Sequence, residues 1–241
     1  GFYYFNGFYV SEDKKVAIEW YKKSAKQGYP QSQYCLGYCY WNGEGVKEDK
    51  AEAVKWYKKS AERGYSQSQY CLGYCYENGT WVKEDKAEAV KWYKKSAEQG
   101  NAKAQNNLGI CYDKGNGVKE NKAEAVKWYQ MAAGQGDPLA QFNLGGCYDK
   151  GDGVKKDKAE SIKWYRISAE QGYATAQYNL GNCYYNGKGV KEDKTEAVKW
   201  YKKAAEQGYA DAQFNLGNCY YKGDGVKENK TVAVKWYKKA A

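Results

Sequence analysis

Along residues 53–61, Ala53, Tyr57 and Ala61 fall at i, i+4 and i+8, a small-large-small stripe on one helical face, with Lys and Glu occupying the positions between. The same stripe returns as Ala89, Tyr93, Ala97 and as Ala197, Tyr201, Ala205. A second pattern precedes it, QSQYCLGYCYWNG from Gln31, in which Leu36, Gly37 and Tyr40 share a helix face with Ser32 or its alanine equivalents. The mid-helix glycine gives up about 1 kcal/mol of helix propensity, which close helix packing would offset. Two helices per unit are therefore expected, and tryptophan marks the period: Trp20, Trp56, Trp92, Trp128, Trp164, Trp200 and Trp236 stand 36 residues apart.

The helix ends are written in the same repeat. Pro30 and Pro138 occupy first-turn positions of the first helix, where the missing N–H costs nothing, and Asn42-Gly43 closes it. The loop GEGVKED follows. Asp49 and Glu52 then form an Asp-x-x-Glu start signal for the second helix, repeated at Asp85 and Glu88, Asp157 and Glu160, and Asp193 and Glu196. Glycine ends that helix at Gly28, Gly64, Gly100, Gly136, Gly172 and Gly208. With this frame, 1–241 is one array: a partial repeat 1–28, full repeats 29–64, 65–100, 101–136, 137–172 and 173–208, and a truncated repeat 209–241. A unit this short cannot bury its apolar face alone, so the fold class expected is all-α, an α-solenoid of helix pairs with 36-residue repeats.

These motifs carry a family likeness. The Leu-Gly-x-x-Tyr of the first helix, the Gly-x-Gly-Val loop, the Asp cap and the Ala-x-x-x-Tyr-x-x-x-Ala of the second resemble the Sel-one-like repeat, a relative of the tetratricopeptide repeat. The likeness covers essentially the whole chain, with Leu36, Leu72, Leu108, Leu144, Leu180 and Leu216 in register. It implies a right-handed superhelix of antiparallel helix pairs, used mostly as an adaptor that assembles other proteins. Trp81 departs from the pattern where Gly45, Gly117, Gly153, Gly189 and Gly225 stand in other loops, and Tyr9 does so in the partial repeat; another turn is expected in those two loops.

Within the array, positions constant from copy to copy are accounted for by packing, and variable ones are candidates for recognition. Variation clusters on one face of the first helix: Gln31, Gln67, Lys103, Leu139, Thr175, Asp211; then Cys35, Cys71, Asn107, Asn143, Asn179, Asn215; then Tyr38, Tyr74, Ile110, Gly146, Asn182, Asn218. In this repeat class that surface is the concave one. The expected partner-binding groove is aromatic toward the N-terminus, through Tyr38, Trp41 and Tyr74, and amide-rich beyond it, through Asn107, Asn143, Asn179, Asn182, Asn215 and Asn218, flanked by Tyr185 and Tyr221. Aromatic anchors beside adaptable amides suit peptide recognition, and an Asn side chain can pair with both N–H and C=O of an extended backbone.

Composition narrows the chemistry. Histidine is absent, which removes the commonest general base and His-containing metal sites; the carboxylates sit mainly at helix starts, where capping explains them. Neither catalysis nor a cofactor is expected. The net charge of +10 comes from lysines such as Lys55, Lys58 and Lys59 on the outward side of the second helix, so a protein or peptide partner, acidic for preference, is favoured over a nucleic acid. A basic nucleic-acid-binding solenoid and a structural subunit stacking end to end into a filament are the alternatives. Of eight cysteines, Cys39, Cys75, Cys111, Cys147, Cys183 and Cys219 form a ladder of small buried residues, with Cys35 and Cys71 added. Helix spacing argues against disulfides, since an i, i+4 pair holds its Cβ atoms roughly 5–6 Å apart. A metal site from Cys35, Cys39, Cys71 and Cys75 would need four converging sulfurs and is not expected. Unpaired cysteines favour a reducing, cytoplasmic compartment, with a secreted or lumenal one as the alternative. The chain opens at Gly1 and its one methionine is Met131, the mark of a fragment. Asn78-Gly79-Thr80 and Asn229-Lys230-Thr231 match the glycosylation pattern, and Asn78 is the acceptor expected to be accessible.

Overall fold

A computed structural model of the chain describes residues 5, 6 and 13–241. Among them lie thirteen α-helices and no strand. They are α1 (Lys14–Lys26), α2 (Pro30–Asn42), α3 (Lys50–Glu62), α4 (Ser66–Asn78), α5 (Lys86–Glu98), α6 (Ala102–Lys114), α7 (Lys122–Gly134), α8 (Pro138–Lys150), α9 (Lys158–Glu170), α10 (Ala174–Asn186), α11 (Lys194–Glu206), α12 (Ala210–Lys222) and α13 (Lys230–Ala240). Contacts group the chain into two compact units, Gly1–Glu120 and Asn121–Ala241. Inside each, a first helix packs on the second helix of its own copy and on the one before it: α2 on α1 and α3, α10 on α9 and α11. This is a helix-pair solenoid.

The core follows the stripes. Ala53, Tyr57 and Ala61 are buried, as are Leu36, Leu72, Leu108, Leu144, Leu180 and Leu216, each leucine burial being worth roughly 1.5–3 kcal/mol. The mid-helix glycine is explained by its neighbour. A Cβ at Gly37 would lie 2.8 Å from Tyr57 Cδ1, and one at Gly73 2.7 Å from Tyr93 Cδ1, so the tyrosine ring rests on the bare helix backbone.

Caps behave as the start signals require, with one correction. Asp49 Oδ1 accepts from Glu52 N–H at 2.9 Å, but Glu52 does not reach back to the cap. The cap N–H of Asp49 donates instead to Tyr40 O at 2.9 Å, and Glu52 pairs with Lys55 at 3.0 Å. Half of the reciprocal box is made, because a carbonyl in the last turn of α2 satisfies the other donor.

The loop at Trp81 is also corrected. Trp81 has φ 58°, beside 71° at Gly45 and 70° at Gly117, and Thr80 N–H donates to Cys75 O as Glu44 N–H donates to Cys39 O. The turn is the same one, with a side chain forced into the left-handed region at about 1–2 kcal/mol. Tyr9 lies outside the described residues.

A polar ladder that the apolar pattern does not announce ties helix to helix. Gln33, Gln69, Gln105, Gln141, Gln177 and Gln213 are buried, and each donates Nε2 to a carbonyl near the end of the preceding second helix, from Gln33 to Ala25 O at 3.1 Å through Gln213 to Ala205 O at 3.0 Å. Buried amides without partners would each cost about 1–3 kcal/mol, so the ladder fixes how a first helix meets the one before it.

Candidate functional site

In the N-terminal unit, Tyr38 and Tyr74 occupy the same position of consecutive first helices and are 40% and 44% exposed. They face a depression of about 380 Å³ that also takes in Trp41 and Asn42 of α2, Tyr57 of α3, and Tyr70, Cys71 and Cys75 of α4, with Tyr34 behind. The rings support one another: Tyr34 lies 5.9 Å from Tyr57 and 5.3 Å from Tyr65, and Trp41 lies 6.1 Å from Tyr57. Burial pushes the Tyr34 phenol up to about 12 and raises Tyr57 further, so both hydroxyls stay protonated at neutral pH. A second depression of about 270 Å³, lined by Phe5, Asn6, Tyr21, Cys35 and Cys39, shares Tyr34 and Tyr38 with the first. The structure thus brings Tyr38, Trp41 and Tyr74 together, as the sequence suggested.

In the C-terminal unit, Asn182, Tyr185 and Asn186 of α10, Tyr201 of α11, and Asn215, Asn218, Cys219 and Lys222 of α12 surround a smaller, polar depression of about 250 Å³. Here four of the expected residues converge, but their amides are partly committed. Tyr201 Oη donates to Asn182 Oδ1 at 2.7 Å, Asn215 Nδ2 reaches the same oxygen at 3.3 Å, and Tyr237 Oη donates to Asn218 Oδ1 at 2.8 Å. These positions vary between copies, yet in this unit the fold uses them, which corrects the assumption that variation marks freedom. With two donors on its oxygen, Asn182 has Nδ2 left to offer a ligand, and Asn218 has Nδ2 and one lone pair of Oδ1.

Tyr185 is engaged as well. Its hydroxyl donates to Asp224 Oδ2 at 2.6 Å, while Lys194 Nζ meets Asp224 Oδ1 at 2.8 Å. The Lys194 ammonium and the Tyr185 hydroxyl hold the Asp224 carboxyl below its ordinary range. Tyr221 is exposed outside the depression, with Lys230 Nζ 5.7 Å from its ring. Asn107, Asn143 and Asn179 are half-buried and line neither depression; Asn107 is hydrogen-bonded to Tyr93. Asn78 is exposed as the last residue of α4 rather than within a loop, with Nδ2 donating to Tyr74 O at 2.9 Å.

The remaining chemistry is sparse. No disulfide joins the cysteines, and burial raises the Cys71 and Cys75 thiols to about 12, so neither is a ready nucleophile. No group of three or more metal-competent side chains occurs among the described residues, and no helix among them is long and apolar enough to cross a membrane. Lys55, Lys58 and Lys59 are exposed; Lys55 pairs with Glu52 and Lys59 stacks 4.4 Å from the Trp56 ring centroid.

Paired helices stacked on shared cores, with a variable face on the first helix of each pair, define a helical repeat protein. The chain belongs to the Sel1 repeat family: the family model matches residues 1–29, 30–65, 66–101, 102–137, 138–173, 174–209 and 210–241. It is 39% identical to c5321, a protective antigen of uropathogenic Escherichia coli with an SLR fold, over 92% of this chain, with a TM-score of 0.87. This chain spans 48% of that antigen's length. A Sel1 repeat protein from Oxalobacter formigenes is 38% identical over 99% of this chain and 69% of its own, with a TM-score of 0.83. The immunity protein Pa5087 of Pseudomonas aeruginosa, 20% identical over 88% of this chain and 80% of its own with a TM-score of 0.56, shares the fold. Comparison with curated protein sequences gives no match. Sel1 repeat proteins are generally non-catalytic protein-interaction scaffolds.

Proposed function

We propose that this array is an adaptor that holds an extended segment of a partner protein against the first-helix face of the N-terminal unit, anchored by Tyr38, Trp41 and Tyr74, the amide donors of Asn182 and Asn218 giving the C-terminal unit a contact face of its own. The observation that carries this is the exposure of Tyr38 and Tyr74 over a depression lined mostly by aromatic rings: two large side chains hold 40% and 44% of their surface in water at positions the repeat fills differently elsewhere. Tyrosine and tryptophan give much contact area for little lost rotamer freedom, which is why they anchor protein interfaces. The amide depression supports the same reading by supplying N–H donors that match backbone carbonyls without demanding a particular side chain.

Selection of a random linear peptide library on the intact chain, followed by titration of the enriched sequences, tests this. Tyr38→Ala with Tyr74→Ala is expected to weaken the enriched peptides about tenfold or more, near 1.4 kcal/mol. Enrichment that survives in the double variant would sink the aromatic anchor, and no enrichment at all would sink the adaptor.

A further inference from the structure

The glutamine ladder is completed at Gln69, Gln141 and Gln177 by a second bond. Gln99 Nε2 donates to Gln69 Oε1 at 2.7 Å, Gln171 to Gln141 at 2.7 Å and Gln207 to Gln177 at 2.8 Å, each thirty residues apart. Gln33 lacks that bond. Its position thirty residues on is Arg63, which brings donors on a longer stem, and Gln33 Oε1 is buried without a partner in a side chain only 4% exposed. Gln213 Oε1 shares this condition, and its matching position falls after residue 241.

Arg63 has folded elsewhere. Its guanidinium lies over Gly28, 2.8 Å from where a Cβ would stand, whereas nothing lies within 4 Å of that point at Gly64, Gly100, Gly172 or Gly208. A second departure falls at the same junction. Lys26 occupies the position held by Glu62, Glu98, Glu170 and Glu206 in other copies. Lys26, Gln33, Trp56, Lys59, Glu62 and Arg63 line a depression of about 440 Å³. Three cations and one carboxylate give it a net charge of +2; the matching residues one copy on, Glu62, Lys95, Glu98 and Gln99, carry −1.

We infer that this junction is a docking site for an acidic peptide segment, separate from the first-helix face. The site needs two kinds of group at once. Arg63 and Lys26 call for a carboxylate, which the guanidinium can hold bidentately. The buried Gln33 oxygen calls for a donor, and a peptide supplies one in the backbone N–H beside its acidic side chain. A bare carboxylate such as acetate offers acceptors alone and leaves Gln33 unsatisfied.

The test uses the intact chain and a fluorescein-labelled decapeptide alternating Glu and Gly, read by anisotropy against its Gln–Gly counterpart. Arg63→Gln and Lys26→Glu install residues that other copies already carry, so the fold accommodates both. Each is expected to weaken the acidic peptide at least about tenfold, and Arg63→Gln is expected to raise the melting temperature by restoring the glutamine pair. Lys95→Gln, one copy on and with the same one-unit loss of charge as Arg63→Gln, is expected to change binding less than about twofold, as for a screened surface charge. Equal weakening by Lys95→Gln, equal binding of the Gln–Gly peptide, or displacement by acetate at concentrations matching the peptide would each overturn the proposal. Because Tyr38→Ala and Tyr74→Ala leave this junction intact, loss of the peptide in those variants would instead show that it had seated on the aromatic face.

Discussion

At one position of the first helix the N-terminal unit carries Tyr38 and Tyr74, large and open to water, while the C-terminal unit carries Asn182 and Asn218, whose Oδ1 atoms receive the hydroxyls of Tyr201 and Tyr237. The packing beneath is the same in both: glycine against a tyrosine ring, leucine in the core, glutamine to a carbonyl. The difference lies in where the buried tyrosine finds its acceptor. In the N-terminal unit Tyr93 donates to Glu77, one turn further along α4, at 2.6 Å. That arrangement releases Tyr74 from service to the fold. In the C-terminal unit the acceptor is at the position itself, so the same site is half structural.

The largest effects should be blind to this contrast. Leu72→Ala and Leu180→Ala each empty a fully packed site and are expected to cost about 2–5 kcal/mol in urea unfolding. Closely similar losses would confirm a common frame; a gap beyond about 2 kcal/mol would break it. The contrast itself should appear next. Asn182→Ala strands the Tyr201 hydroxyl and is expected to cost about 1–3 kcal/mol, whereas Tyr74→Ala, at the equivalent exposed position, should cost about 0.5 kcal/mol or less. If both changes prove equally costly, the aromatic face is part of the fold and its exposure means little.

Smaller still is Trp81→Gly, which relieves a left-handed side chain and should stabilise the N-terminal unit by about 1 kcal/mol in thermal melts. Destabilisation would show that the Trp81 ring is held by contacts that outweigh its strain. The smallest effect concerns Asp224. Its carboxyl is depressed by Lys194 and Tyr185, so its contribution is present above the unfolded carboxylate pKa of about 3.9 and fades as pH falls through the lower folded value. Asp224→Asn should lower the melting temperature at pH 7 and match the parent near pH 2. A difference that persists at pH 2 would mean the loop is shaped by size rather than charge.

Much of the frame is legible in the sequence, because helix ends depend on neighbours a few residues away. Pro30, Asp49 and Gly64 act locally, and their helices begin and end where those residues place them. Long-range satisfaction is not written locally. Glu52 fits a capping box by spacing, but the carbonyl of Tyr40, in the last turn of α2, takes the cap N–H instead. Asn182 and Asn218 look like open amides until Tyr201 and Tyr237, nineteen residues on, are seen to point at them. The buried glutamines did leave a signal: a polar residue held constant in every copy, as at Gln33, Gln69 and Gln105, marks a buried bond rather than a wet face.

Ser60 donates to Pro30 O, Ser96 to Ser66 O and Ser168 to Pro138 O, and the glutamine pairs span the same thirty residues. Every such bond reaches one copy and no further. A genetic event that removes or duplicates 36 residues in frame therefore re-creates, at its seam, bonds the chain already makes elsewhere. Length becomes something heredity can alter in whole steps, and with it the order in which aromatic, amide and basic copies are presented to the world outside.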